Sequence, residues 1–287
     1  MTTTPQYLLT LRCPDRKGIV ATVTTLLADQ DLLIVESHQF EDHNSGMFFM
    51  RVLFAPESCA PIDLDRLRDL FRPIAERFDM DWAFRDVAVK PRVLLAVSRF
   101  GHCLYDLLHR WRSGHLPVEI VGVVSNHDDM RSFTEWNNLP YHHLPIAKGE
   151  KAAQEARIMA LVDELDVDLV VLARYMQILS PELCAFLDKR CINIHHSFLP
   201  SFKGAKPYHQ AHARGVKVIG ATAHYVTTDL DEGPIIEQDT KRVTHSRSAD
   251  ELVAIGQEVE CAVLARAVRW HVEGRVMLNG DRTIVFD

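Results

Sequence analysis

Two short segments carry polar residues of the types that acyl chemistry needs. Cys191-Ile-Asn-Ile-His-His-Ser-Phe-Leu-Pro200 opens as a strand, so Asn193 and His195, two positions apart, point to one side and His196 to the other. An imidazole trades a proton near neutral pH. An amide NH₂ can donate to an oxyanion as the charge forms. A second strand, predicted over Gly220–Val226, runs into Thr227-Thr-Asp-Leu-Asp-Glu-Gly-Pro234, where Gly233 and Pro234 turn the chain and leave Asp231 at the rim. A carboxylate there can hold an imidazole in one orientation and favour its charged form. Polar core residues that merely satisfy one another look the same, so residue types alone leave two readings: an acid–base site or a structural cluster. His209, His212 and His224, joined by His195 and Asp231, also invite a metal reading. Against it, His209 and His212 fall on a separate helical stretch after Pro207, and no thiolate or acidic pair completes a cage, so no metal is expected.

The elements that would hold these residues read as a parallel sheet. Val93–Ser98, Val118–Ser125 and Asp168–Ala173 are short, nearly all-apolar runs rich in Val and Leu, as strands buried on both faces are. Helical stretches alternate with them, at His102–Arg112 and Glu150–Leu165. That alternation predicts an open α/β sheet, which places ligands at the carboxyl ends of its strands. Ser248-Ala-Asp-Glu251 is a capping box opening a long helix to about His271. Arg275–Leu278 and Thr283–Phe286 then flank Asn279-Gly280 as a hairpin.

The first 86 residues have a different rhythm. Strands are predicted at Tyr7–Arg12, Leu32–Phe40, Met47–Phe54 and Asp81–Arg85, with helices at Ile19–Asp29 and Leu64–Phe78. The order β-α-β-β-α-β builds a ferredoxin-like layer. The expected division is therefore residues 1–86, a linker at 87–91, and an α/β domain over 92–287.

Composition narrows the function classes. Apolar residues make up 47% of the 287 and charged residues 25%, as in a globular protein with a real core. A net charge of −7 disfavours a nucleic-acid partner. No apolar run is long enough for a membrane helix. The N-terminus lacks the basic and apolar regions of a secretion signal, so a cytoplasmic location is expected. Six scattered cysteines, with no CxxC pair, suit reduced thiols.

Against known families the residues say more. Cys13-Pro14-Asp15-Arg16-Lys17-Gly18-Ile19-Val20 and the helix after it resemble an ACT domain. That resemblance implies an amino-acid effector at Asp15, Arg16, Lys17 and Gly18, often bound across a subunit interface, and hence a homo-oligomer. The run Asn193-Ile-His195-x-Ser197-x-Leu199-Pro200-Ser-Phe-x-Gly204, then His224-x-Val226-x-x-x-Leu230-Asp231-x-Gly233-Pro234, resembles the 10-formyltetrahydrofolate-dependent formyltransferase family. The likeness implies that Asn193, His195 and Asp231 are the catalytic trio. The loop Arg174-Tyr175-Met176-Gln177-Ile178-Leu179-Ser180 resembles the family's folate-binding loop, with Met176, Ile178 and Leu179 lining an apolar slot opposite Val226. Folate is then the substrate, and no separate cofactor is implied.

One departure bears on the acceptor. Family members that formylate a sugar phosphate carry several glycines directly after the first strand, where backbone NH groups approach the phosphate. Here that position reads Ser98-Arg99-Phe100-Gly101-His102-Cys103, with one glycine. Lys203-Gly-Ala-Lys-Pro-Tyr-His-Gln-Ala211, Gly220-Ala-Thr-Ala-His-Tyr225 and His196, where the transferases carry Pro, resemble instead the ACT-bearing members that pass the formyl group to water. The resemblance implies hydrolysis of 10-formyltetrahydrofolate to tetrahydrofolate and formate. Transfer to an amine and a non-catalytic folate or amino-acid sensor are the alternatives.

Overall fold

The structure, a computed structural model, describes residues 4–58, 60–147, 149–199 and 207–287. The 200–206 part of the formyltransferase-like motif and Cys59 lie outside the described residues. Backbone contacts divide the chain into one unit of Met1–Lys90, Gly274–Met277 and Ile284–Asp287, and another of Pro91–Glu273 and Leu278–Thr283.

In the first unit, β1 (Tyr7–Pro14), α1 (Ile19–Asp29), β2 (Leu32–Asp42), β3 (Met47–Pro56), α2 (Leu64–Phe78) and β4 (Asp81–Asp86) follow the expected order. They build an antiparallel sheet ordered β2-β3-β1-β4. Alternate residues of β1 and β3, among them Leu9, Leu11, Met50, Val52 and Phe54, join Ile19, Val23 and Leu27 of α1 and Leu67, Phe71 and Ala75 of α2 in one core. Asp63 caps α2 by accepting from the backbone of Asp65 and Arg66.

The division corrects the expected 92–287 boundary. β3 is apolar on both sides, so Phe49, on the face away from the helices, needs cover of its own. Met277 and Phe286 supply it, with Met47 and Ile284 beside them. They come from β12 (Val276–Asn279) and β13 (Arg282–Val285) with its following residue, the C-terminal hairpin that the sequence pattern placed in the α/β domain.

The second unit holds β5 (Arg92–Val97), α3 (His102–Arg112), β6 (Glu119–Ser125), α4 (Arg131–Trp136), β7 (Tyr141–His143), α5 (Lys151–Glu164), β8 (Leu169–Leu172), α6 (Pro181–Phe186), β9 (Cys191–His195), α7 (Pro207–Arg214), β10 (Val218–Tyr225), β11 (Ile235–Arg242) and α8 (Ala249–Val272). Seven strands form one sheet ordered β11-β10-β9-β8-β5-β6-β7. β5 to β9 run parallel, and β10 and β11 turn antiparallel at one edge. This is the mostly parallel open sheet the apolar runs predict. Ser248 opens α8 with a complete capping box, its hydroxyl accepting from the Glu251 amide and the Glu251 carboxylate accepting from the Ser248 amide. Among the described residues, no helix is long and apolar enough to cross a membrane. The described cysteines are free thiols, four of them buried.

Candidate active site

A cavity of about 680 Å³ opens at the carboxyl ends of β8 and β9, in the size range of small-molecule sites. Asn193 and His195 reach it from alternate positions of β9. The antiparallel register sets His224 of β10 directly opposite Asn193. The loop after β10 brings Asp231 to the same place. Gly233 allows that return, because a Cβ there would lie 1.8 Å from the Tyr225 carbonyl oxygen. The Tyr225 amide then donates to the Pro234 carbonyl at 2.9 Å and closes the loop. Asp231 itself takes φ 58°, a left-handed conformation that Asp tolerates better than most side chains and that clusters at functional sites.

Asp231 Oδ1 lies 3.1 Å from His195 Nδ1 and 3.7 Å from His224 Nε2. Burial alone would raise the Asp231 carboxyl, but the hydrogen bond from His195 and the nearness of both imidazoles outweigh it and hold the group well below the usual carboxylate range. With Nδ1–H given to an ionised Asp231, His195 keeps Nε2 as its other ring nitrogen. That nitrogen is buried, and it has no hydrogen-bond partner among the described residues. His224 Nδ1 donates to the Tyr225 carbonyl at 2.9 Å, so in that tautomer Nε2 accepts from Asn193 Nδ2 at 3.3 Å. One N–H of the Asn193 amide is thereby anchored, and among the described residues no hydrogen bond takes up the second. Such an arrangement can move a proton at the imidazole and donate a hydrogen bond from the amide, with a carboxylate beside the ring.

Thr222, fully buried on β10, pins the segment that follows β9: its hydroxyl donates to the Ser197 carbonyl at 3.0 Å and accepts from the Leu199 amide at 3.1 Å. His196 departs from the strand-alternation expectation. β9 ends at His195, so the period of two stops there, and His196 lines the cavity beside His195 with ring centres 5.1 Å apart. Burial, with the Arg174 and His195 charges, lowers His196 to about 4 and keeps it neutral at neutral pH.

The residues expected for the folate loop, Arg174, Tyr175, Met176, Ile178 and Leu179, all line this cavity, and so does Val226. Met176 is 48% exposed and Ile178 61%, apolar side chains left open where a flat ring system can cover them. Ser98 holds the loop: its amide donates to the Arg174 carbonyl and its hydroxyl accepts from the Met176 amide at 3.0 Å. Asp15, Arg16, Lys17 and Gly18 form a separate exposed turn in the first unit, where Gly18 (φ 99°) precedes α1.

Sequence reasoning missed a second polar group in the cavity wall, in which His102, Tyr208 and Glu260 join the expected Arg174. His102 and Glu260 also lie with Cys103 close enough to suggest a metal site. There, however, both carboxylate oxygens already accept hydrogen bonds, from Tyr208 and His102. The Cys103 thiol, beside Cys261 and buried, is pushed far above its ordinary value.

Comparison with known proteins fits this geometry. A formyl transferase family model matches residues 91–268 and an ACT domain model residues 7–77. The chain belongs to the formyl transferase family, in the branch that joins an ACT domain to the formyl transferase core. Its relatives in that branch are formyltetrahydrofolate deformylases: the Corynebacterium sp. protein is 54% identical over 98% of both chains. Crystal structures of the deformylases from Burkholderia mallei and Pseudomonas syringae superpose with TM-scores of 0.94 and 0.96, at 54% and 51% identity. They cover 99% and 100% of this chain, which in turn covers 100% and 96% of theirs.

Proposed function

We propose that Asn193, His195 and Asp231 carry the hydrolysis of 10-formyltetrahydrofolate to tetrahydrofolate and formate in this chain. The observation that carries the assignment is His195: Nδ1 lies 3.1 Å from the Asp231 carboxylate, and Nε2 is buried with no hydrogen-bond partner among the described residues. Nε2 takes a proton from water as its oxygen attacks the formyl carbon. The free N–H of Asn193 donates to the oxyanion, an interaction whose removal typically costs ~10²–10³ in rate. Asp231 supports the imidazolium, and its low affinity for protons makes it a charge partner rather than the base. His195 then returns the proton to N10, the N10–C bond breaks, and tetrahydrofolate and formate leave.

The pteridine is read by the 174–179 loop, with Met176, Ile178, Leu179 and Val226 as its apolar slot. No cofactor beyond the folate is invoked. The first unit serves as an amino-acid sensor at Asp15–Gly18, where α1 opens with free NH groups. The chain works as a homo-oligomer in the cytoplasm: Leu33, Ile34, Val35 and Phe40 lie exposed on β2, the edge strand of its sheet, a surface that invites pairing. The direct test is incubation with 10-formyltetrahydrofolate and no amine. Formate and tetrahydrofolate should appear in equal amounts, and turnover only after an amine is added would establish the transferase alternative.

A further inference from the structure

We infer that Glu260 is a specificity-determining residue that closes the acceptor end of the cavity and leaves water as the nucleophile; this rests on the hydrolytic reading above. Glu260 is 1% exposed, projects from the middle of α8 and forms part of the cavity wall. A buried carboxylate facing a ligand site would ordinarily accept hydrogen bonds from whatever enters, an amine above all. Here each oxygen already accepts a hydrogen bond from the protein. Tyr208 donates to Oε1 at 2.7 Å and His102 Nε2 donates to Oε2 at 2.8 Å. Arg174 Nε stands 3.3 Å from Oε2, near enough for charge attraction but outside hydrogen-bonding geometry, and its guanidinium lies 5.9 Å over the Phe100 ring.

The four residues come from α3, the loop after β8, α7 and α8, and together they form one polar stretch of the cavity wall. Gly256, one turn before Glu260, makes the arrangement possible: a Cβ there would lie 2.1 Å from the Tyr208 ring. The cluster borders the reacting residues through His196, whose ring lies 5.1 Å from His195 and 6.5 Å from Tyr208. An amine arriving from that side of the cavity thus meets the Tyr208 and His102 side chains, held in place by the Glu260 carboxylate behind them. Water is small enough to need none of that space.

The experiment measures how the formyl group partitions. Full-length wild type and Glu260→Ala are given 10-formyltetrahydrofolate with glycinamide or hydroxylamine in excess, and formate and N-formyl product are both quantified. When an amine attacks, its nitrogen bonds to the formyl carbon, the N10–C bond breaks, and the amine proton goes to N10. Wild type should yield formate almost alone, and Glu260→Ala should raise the ratio of N-formyl product to formate at least tenfold. An unchanged ratio in a folded, active variant overturns the inference. So does loss of both products in a folded variant, since Glu260 would then serve hydrolysis itself. If Glu260→Ala fails to fold by circular dichroism, His102→Ala carries the same expectation and the same refutation. Failure of wild type to release formate would instead refute the hydrolytic reading.

Discussion

Replacing Asp231 by Asn tests the site where it is most exposed to error. The substitution keeps size and shape and removes one charge 3.1 Å from His195 Nδ1. Two unit charges about 3 Å apart attract by about 5 kcal/mol at an effective dielectric near 20. An amide oxygen in the same place still accepts a neutral hydrogen bond, which returns about 1 kcal/mol. The net loss of about 3–4 kcal/mol falls on the imidazolium, which forms during reaction, and corresponds to a drop of about 10²–10³ in kcat. An amide that turns its NH₂ towards Nδ1 would deepen the loss by reversing the tautomer. The assay is formate release at saturating substrate, with kcat and KM determined separately, and KM should move little. Retention of more than about a tenth of wild-type kcat would show that the carboxylate is not the partner of the catalytic imidazole.

The same variant has a stability signature of definite sign. Asp231 sits below the ordinary carboxylate range in the folded protein. It therefore contributes stability that is fully present above its unfolded value of about 4 and is lost as pH falls through the lower folded value. Asp231→Asn lacks that contribution, so its unfolding free energy should fall less steeply than wild type below about pH 4. Parallel slopes in urea titrations would mean that Asp231 is not held ionised.

Three further outcomes are expected. His196 is lowered to about 4 by burial and by the Arg174 and His195 charges, against the pull of Glu260 and Asp231, so the unfolded chain takes up its proton first. Wild-type stability should then fall between about pH 6.5 and 4, and His196→Asn should flatten that limb in urea unfolding at matched pH values. Phe286→Ala should destabilise the first unit by about 3 kcal/mol, since the ring covers Phe49 on the face of the sheet away from the helices; denaturant unfolding followed in that unit reads it, and a change under about 0.5 kcal/mol would remove the C-terminal residues from its core. Glycine or methionine should alter initial hydrolysis rates through the Asp15–Gly18 turn, and a flat response across the common amino acids would leave the first unit a purely structural role.

The trio and its frame were legible because each part is local. Asn193 and His195 share one strand, and Asp231 follows the next strand within a turn that Gly233 and Pro234 announce. The apolar runs of β5, β6 and β8 declare burial on both faces by composition alone, and Ser248 with Glu251 spells a helix start. β7 is three residues long and α4 six, too short for a period to show. His196 was placed on the wrong side because alternation was carried one residue past the end of its strand. The C-terminal hairpin was seen, but its attachment was not. The signal lay elsewhere, in Met47-Phe-Phe-Met-Arg-Val-Leu-Phe54, whose apolar residues occupy both faces of the strand.

The Glu260 cluster shows where local reading must fail and what can stand in for it. Its members lie at positions 102, 174, 208 and 260, and the His102–Glu260 hydrogen bond spans 158 residues, so no window along the chain contains the group. Yet Glu260 breaks a local rule that was in plain view. It falls on the buried stripe of α8 with Leu252, Gly256, Val259 and Val263, where a charge has no place without a partner. Gly256 on the same face weakens a helix for no local reason. A charge inside an apolar stripe, one turn after a glycine, predicts that something bulky and polar approaches the helix at that point. Here it is the Tyr208 ring, and with it the wall that an amine would have to displace.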